Sequence, residues 1–170
     1  MEVNFQIYLY DAAIASGKRK KMNDVRMESK AAIPNLINIC VDRSVQGEIG
    51  GRIYHYYQRE PWKFENVVQL LRYMEEFYDG IRFPEAAVML RNFSETEKED
   101  REKTWQILST KEEVLNHQGK CATFYTYVQY RQNATWQGRL VWKEAEKEVE
   151  FRSALELIIL VDNALNEDCK

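Results

Sequence analysis

The stretch WQGRLVWKEAEKEVEFRSALELIILVDNAL, residues 136–165, decides the fold, because its outline occurs earlier in IGGRIYHYYQREPWKFENVVQLLRYMEEFYD, residues 49–79. A shift of 87 residues, from 51 to 138, lays one block on the other without a gap. Gly51 and Arg52 then fall on Gly138 and Arg139, Ile53 on Leu140, Phe64 on Phe151, and Val41 on Val128. Further on, Val67, Val68, Leu70, Leu71 and Met74 meet Ala154, Leu155, Leu157, Ile158 and Val161. The decisive match is chemical. Asn66 with Gln69 and Ser153 with Glu156 both have the capping-box form, in which a cap side chain is followed three residues later by Glu or Gln. Both boxes stand just before an apolar run at helical spacing, so the pattern predicts an internal duplication.

Each copy reads as strand, turn, strand, helix. In the second, TFYTYVQYRQ (123–132) is rich in β-branched and aromatic residues and predicts a strand. NATWQG supplies a turn, GRLVWKE (138–144) pairs back, and a short strand around Val149 and Phe151 leads into a helix over 154–166. In the first, NLINICVDR (35–43) is the strand, SVQGEIGG the glycine-rich turn, and GRIYHYYQR the partner, which Pro61 is expected to break. A helix from 67 to about 79 follows, with Gly80 at the position where a left-handed residue ends a helix. In the last helix, Leu155, Ile158, Ile159, Val161 and Leu165 form the expected buried surface.

An isolated hairpin with one helix buries too little apolar area to be stable, and two sharing a sheet solve the problem. The expected fold is therefore α+β: two ββα units forming an antiparallel sheet, with helices packed on one face. The expected organisation is a first unit over residues 1–90, which includes the alternating strand VNFQIYLY, a charged helical linker over 91–120, and a second unit over 121–170. Within the linker, Thr110 with Glu113 makes another capping box and Gly119 terminates the turn. The basic cluster Lys18 to Lys21 reads as a solvated loop.

Composition narrows the class of function. The 170 residues are 45% hydrophobic and 30% charged, which fits an ordinary globular protein with a real core. No run of 18 apolar residues is present, so no membrane partner is expected. The start MEVNFQIYLYDAAIAS lacks a basic region followed by an apolar one, and a cytoplasmic protein is expected. Cys40, Cys121 and Cys169 are odd in number and widely spaced, as reduced thiols would be. A net charge of −3 excludes a surface built throughout for nucleic acid.

The search for chemistry finds few candidates. His55 and His117 are the only histidines, and neither has a second ligand at metal spacing, so no metal and no cofactor are expected. GEIGG lacks the lysine and the helix of a phosphate-binding loop. Cys40 and His55 lie on the two strands of one hairpin and would need to meet across it to form a nucleophile and base.

The hairpin faces carry the stronger signal. Residues 121–143 hold three cations, Arg131, Arg139 and Lys143, and no acid. Period-two alternation puts Phe124, Thr126 and Val128 toward the core and Tyr125, Tyr127, Arg131, Arg139 and Lys143 on the opposite face. Arg52, Tyr54 and Tyr56 join them from the first unit, and Trp136 sits in the turn, either folded over the sheet or as a contact residue. Tyrosine and arginine on one face suit a protein interface or self-association. They also suit stacking of single-stranded bases.

The run YRQNATWQGRLVWKEAEKEVEFRSALELIILVDNAL, 130–165, resembles the end of small proteins of anaerobic Gram-positive bacteria, through RQNATWQG and FRSALEL. The resemblance implies a bacterial, cytoplasmic setting; that family has no known activity, so it implies no catalytic residues. The reading that results is a non-enzymatic binding protein acting through an aromatic and basic sheet face. The alternatives are a single-stranded nucleic-acid binder and a small enzyme with a site between the two units.

Overall fold

In the computed structural model, which describes residues 33–88, 91, 93 and 105–168, one antiparallel sheet of six strands runs in the order β3-β2-β1-β4-β5-β6. The strands are β1 (Ile37–Val45), β2 (Glu48–His55), β3 (Gln58–Phe64), β4 (Ala122–Tyr130), β5 (Gln137–Trp142) and β6 (Lys147–Phe151). Three helices accompany them: α1 (Val67–Ile81), α2 (Lys111–Asn116) and α3 (Ala154–Asp168). The expected strand VNFQIYLY, the cluster Lys18 to Lys21 and Cys169 lie outside the described residues.

Each half holds three strands and a helix, not two. Pro61, expected to break the strand, lies inside β3. β3 is an edge strand, where proline's missing N–H can face outward without loss of a ladder bond. The first hairpin turns on two residues only, Gln46 (φ 52°) and Gly47 (φ 80°), both left-handed, as a tight hairpin requires. The expected turn residues Glu48 to Gly51 therefore belong to β2.

The halves match in register as well as in order. Val41 opposes Gly51, and Gly51 opposes Phe64; Val128 opposes Gly138, and Gly138 opposes Phe151. An irregularity follows Val41 in β1 and the corresponding Val128 in β4. Both glycines are required by the close approach of strand and ring. A Cβ on Gly51 would collide with the carbonyl oxygen of Cys40 and press on the Phe64 ring, and one on Gly138 would collide with that of Tyr127 and press on Phe151. The two helices have equal lengths, 15 residues each. β1 and β4 join the halves, with Ile37 opposite Thr126, Asn38 opposite Tyr125 and Ile39 opposite Phe124. At the 87-residue shift these pairs exchange places about Asn38 and Tyr125, so an approximate two-fold axis passes there.

The helix starts match too, with one adjustment. Asn66 Oδ1 accepts from the Gln69 N–H at 2.9 Å and Ser153 Oγ from the Glu156 N–H at 3.0 Å, as the boxes predict. The returning side chains reach one residue further back than a standard box. Gln69 accepts from the Glu65 N–H (2.7 Å) and Glu156 from the Arg152 N–H (2.6 Å). Helix α1 runs past its expected end: Gly80 lies inside it, and Arg82 (φ 53°) takes the left-handed cap.

Helices α1 and α3 cover one face of the sheet. The core there joins Ile37, Ile39, Val41 and Ile53 to Leu70, Met74 and Phe77, and Phe124, Val128, Leu140 and Phe151 to Leu157, Val161 and Leu165. Two residues expected in that core are outside it. Leu155 is 70% and Ile159 49% exposed, while Leu157, on the opposite side of the helix from Leu155, is buried. The charged linker is also revised. Its described part, from Trp105 to Lys120, packs on the sheet instead of separating two bodies, and is helical only in α2.

Candidate functional site

The face opposite α1 and α3, called the outer face here, carries the tyrosines. Its first-half part is covered by the chain itself. Val114 of α2 packs among Leu36, Cys40, Tyr54 and Tyr56 in a second, smaller core. The helix is started by the expected box, with Thr110 Oγ1 accepting from the Glu113 N–H and the Glu113 carboxylate from the Thr110 N–H. Sheet side chains then bind the free carbonyls of its last turn and of the residues just after it. Asn38 Nδ2 donates to the carbonyls of Val114 (2.7 Å) and His117 (3.0 Å), Tyr125 Oη to Leu115 (3.0 Å), and Arg52 Nη2 to Gln118 (3.0 Å). The His117 ring stacks on Tyr54 with centroids 3.6 Å apart.

Upstream, Trp105 lies against Gly80, where any Cβ would overlap its indole. The Leu108 and Ser109 N–H groups donate to the Tyr56 carbonyl at 2.7 and 3.0 Å. Residues 105–118 thus form a strap that begins beside α1, crosses the β2–β3 turn, and ends on the outer face. Sequence reasoning missed the cover. Its signals, the Thr110 box and a lone apolar Val114, are weak for a helix of one and a half turns.

The nine candidate residues do not form one basic face. Arg52, Tyr54 and Tyr56 lie on the outer face but under the strap. Tyr56 is 2% exposed, and burial pushes its hydroxyl up to about 12. Arg52 holds Asp42 with two bonds (2.7 and 2.9 Å) and donates to Tyr54 Oη at 2.8 Å. That pairing holds the Asp42 carboxyl below its ordinary value.

Arg131 departs from its expected face, and Trp136 takes the first of its two expected places, folded over the sheet. The irregularity between Val128 and Tyr130 breaks the period of two, so Arg131 turns to the helix side instead of the outer face. There it is 5% exposed and donates to Glu75 (2.5 Å) and Asp79 (2.6 Å) of α1. Trp136 donates from Nε1 to Glu75 at 2.8 Å and meets Tyr78 edge-on, so it is folded over the core. The two residues latch the second half to the helix of the first.

Tyr125, Tyr127, Arg139 and Lys143 do share the outer face. Arg139 is buried beside Tyr127 and donates to Glu148 (3.0 Å) and Glu150 (2.9 Å) of β6. The Lys143 ammonium stands 6.0 Å from the Tyr125 ring centre. Around them Tyr127, Gln129, Val141 and Lys143 are only partly buried. The cationic character read from residues 121–143 is therefore offset by carboxylates that come from β6, beyond that window.

Cys40 and His55 do not meet. Cys40 lies on the outer face, donates to Asn38 Oδ1, and is pushed up to about 12 by burial, which leaves a thiol without nucleophilic character at neutral pH. His55 lies on the helix face, stacked on Phe77 at 4.5 Å, with Nδ1 accepting from the Tyr57 N–H. Among the described residues, no three His, Cys, Asp or Glu side chains converge to hold a metal, and no helix is long and apolar enough to cross a membrane. Comparison with protein-family models, with curated proteins and with solved structures finds no match in any of the three.

Proposed function

We propose that the chain is a non-enzymatic binding protein whose partner is a protein segment seated on the outer face of the second half. The observation that carries this reading is the contrast between the halves. The chain covers the outer face of the first half with its own helix and leaves Tyr127, Gln129, Val141 and Lys143 partly exposed on the second. The cover also indicates what fits such a surface: a short helix with one apolar side chain, held by donors that bind its last carbonyls. Tyrosine beside partly buried aliphatic surface is the composition of protein interfaces.

The nucleic-acid reading is the weaker one, because each arginine it relied on is committed. Arg52 pairs with Asp42, Arg131 with Glu75 and Asp79, and Arg139 with Glu148 and Glu150, so little free positive charge remains for phosphates. We further infer that the halves descend from one duplicated unit, supported by the shared register and glycine contacts. A cytoplasmic setting is supported by the thiol of the buried Cys40.

A photo-crosslinking amino acid at position 127 tests the partner. Expected is capture of one discrete protein, with capture lost on Val141→Glu while the melting temperature is kept. Light scattering separates a foreign partner from a second copy. Failure to crosslink, together with oligonucleotide binding that weakens steeply with salt, would overturn the proposal in favour of nucleic acid.

A further inference from the structure

The strap over the first half is held mainly by polar contacts to its carbonyls and by the stack of His117 on Tyr54. We propose that it is an acid-sensitive cover: charging His117 releases α2 from β1 and β2 and uncovers Leu36, Cys40, Tyr54 and Tyr56. This does not rest on the function proposed above, which concerns the other half.

The geometry leaves an imidazolium poorly accommodated. The two rings are 3.6 Å apart and 7° from parallel, so one face of the imidazole is closed to water. From β2 the groups that face it are Tyr54 and Arg52, and the hydroxyl edge of Tyr54 already receives Arg52 at 2.8 Å. A protonated ring would gain some attraction from the tyrosine face. It would do so beside a guanidinium bonded to the carbonyl of the very next residue, Gln118.

From β1 come Asp42 and the neutral Asn38 and Cys40. Asp42 is the carboxylate bonded to this cluster, and both its oxygens are engaged: Oδ2 with Arg52 Nε, Oδ1 with Arg52 Nη2 and the Lys120 N–H. From β4, Tyr125 has its hydroxyl committed to the Leu115 carbonyl, and just past the strap Lys120, another cation, donates its N–H to Asp42. Among the described residues, the contacts around His117 therefore offer no uncommitted carboxylate for the new charge.

Burial first, and Arg52 second, hold His117 below its ordinary value of 6.5. The sign follows. A histidine whose seated form is harder to protonate than its released form stabilises the closed strap above 6.5 and loses that contribution as pH falls through 6.5. The loss levels off once the seated ring itself titrates. Release would free the buried hydroxyl of Tyr56, which has no hydrogen-bond partner in the closed form, and open an apolar strip along β1 and β2.

The test uses the full chain with Cys121→Ser and Cys169→Ser, so that Cys40, beneath the strap, is the one thiol. Its reaction with dithiodipyridine is measured from pH 7.5 to 5.0 and divided by the rate of the urea-unfolded chain at each pH. Protection should fall as pH drops through 6.5 and keep falling toward pH 5.0. In His117→Phe, which keeps a stacked ring without a charge, protection should stay flat. Constant protection in the His117 chain, or a parallel fall in the Phe variant, would overturn the proposal. If the Phe variant does not fold, an NMR titration of His117 decides instead: a midpoint below 6.5 supports the proposal, and one at or above it refutes it.

Discussion

Residues 37–81 and 122–168 are two versions of one strand-strand-strand-helix pattern, and their likenesses and differences fall in different places. The likenesses are internal to each half: the glycine under a phenylalanine ring, the strand irregularity, the cap on the helix. The differences lie on the surfaces that each half presents outward. On the outer face, α2 covers the first half, and among the described residues no element covers the second. On the helix side, α1 receives Arg131 and Trp136 through Glu75 and Asp79. The corresponding residues of α3, Asp162 and Asn166, are exposed, and Asn166 donates to Asp162 at 3.2 Å. Folding requirements are met twice over, and the asymmetry is where binding chemistry has room to differ.

Four sets of substitutions sharpen or break that comparison. The largest effect should come from Gly51→Ala and Gly138→Ala, because each added methyl meets a backbone carbonyl of the paired strand and neither can relax without separating strands. Each should cost about 4 kcal/mol in urea unfolding. A clear inequality between them would mean that the shared register is not equally important to the two halves.

Arg131→Ala comes next. It removes the buried cation from two carboxylates and should cost about 3 kcal/mol, whereas Ser44→Ala, at the matching position, should stay within about 0.5 kcal/mol. Equal costs would refute the latch. Gly80→Ala follows. In a bare helix the change would gain about 1 kcal/mol, but here the methyl overlaps Trp105, so a net loss is expected, with faster amide exchange at Leu108 and Ser109. Unchanged exchange would show that Trp105 does not anchor the strap. The smallest and most symmetric pair is Asn66→Ala and Ser153→Ala, each costing about 1 kcal/mol in thermal or urea unfolding.

Much of the repeated part was legible in the sequence because its signals are local. A cap side chain, the glycine and the phenylalanine each report on their own neighbourhood, so a fixed shift aligned the strands and both helix starts. The face assignment of Tyr125, Tyr127, Arg139 and Lys143 followed from period-two alternation and agrees with the register. It stopped at Val128, where the irregularity turned Arg131 inward, and no residue type there announces the turn. Pro61 misled for a related reason: proline excludes a central strand, and only the sheet order shows β3 to be an edge. The carboxylates that neutralise Arg139 and Arg131 come from other elements, and counting charge within residues 121–143 could not include them. Leu155 and Leu157 lie two positions, about 200°, apart around the helix, and packing against the sheet decides which face is buried.

The central claim is that the first half's outer tyrosine face is covered by the strap while, among the described residues, the second half's stays partly exposed. Hydroxyl-radical footprinting of the folded full chain at neutral pH tests it directly, residue by residue. The account predicts strong protection of Tyr54 and Tyr56, which are 7% and 2% exposed, and ready modification of Tyr127. Equal labelling of all three, or protection of Tyr127 with Tyr56 modified, would contradict it.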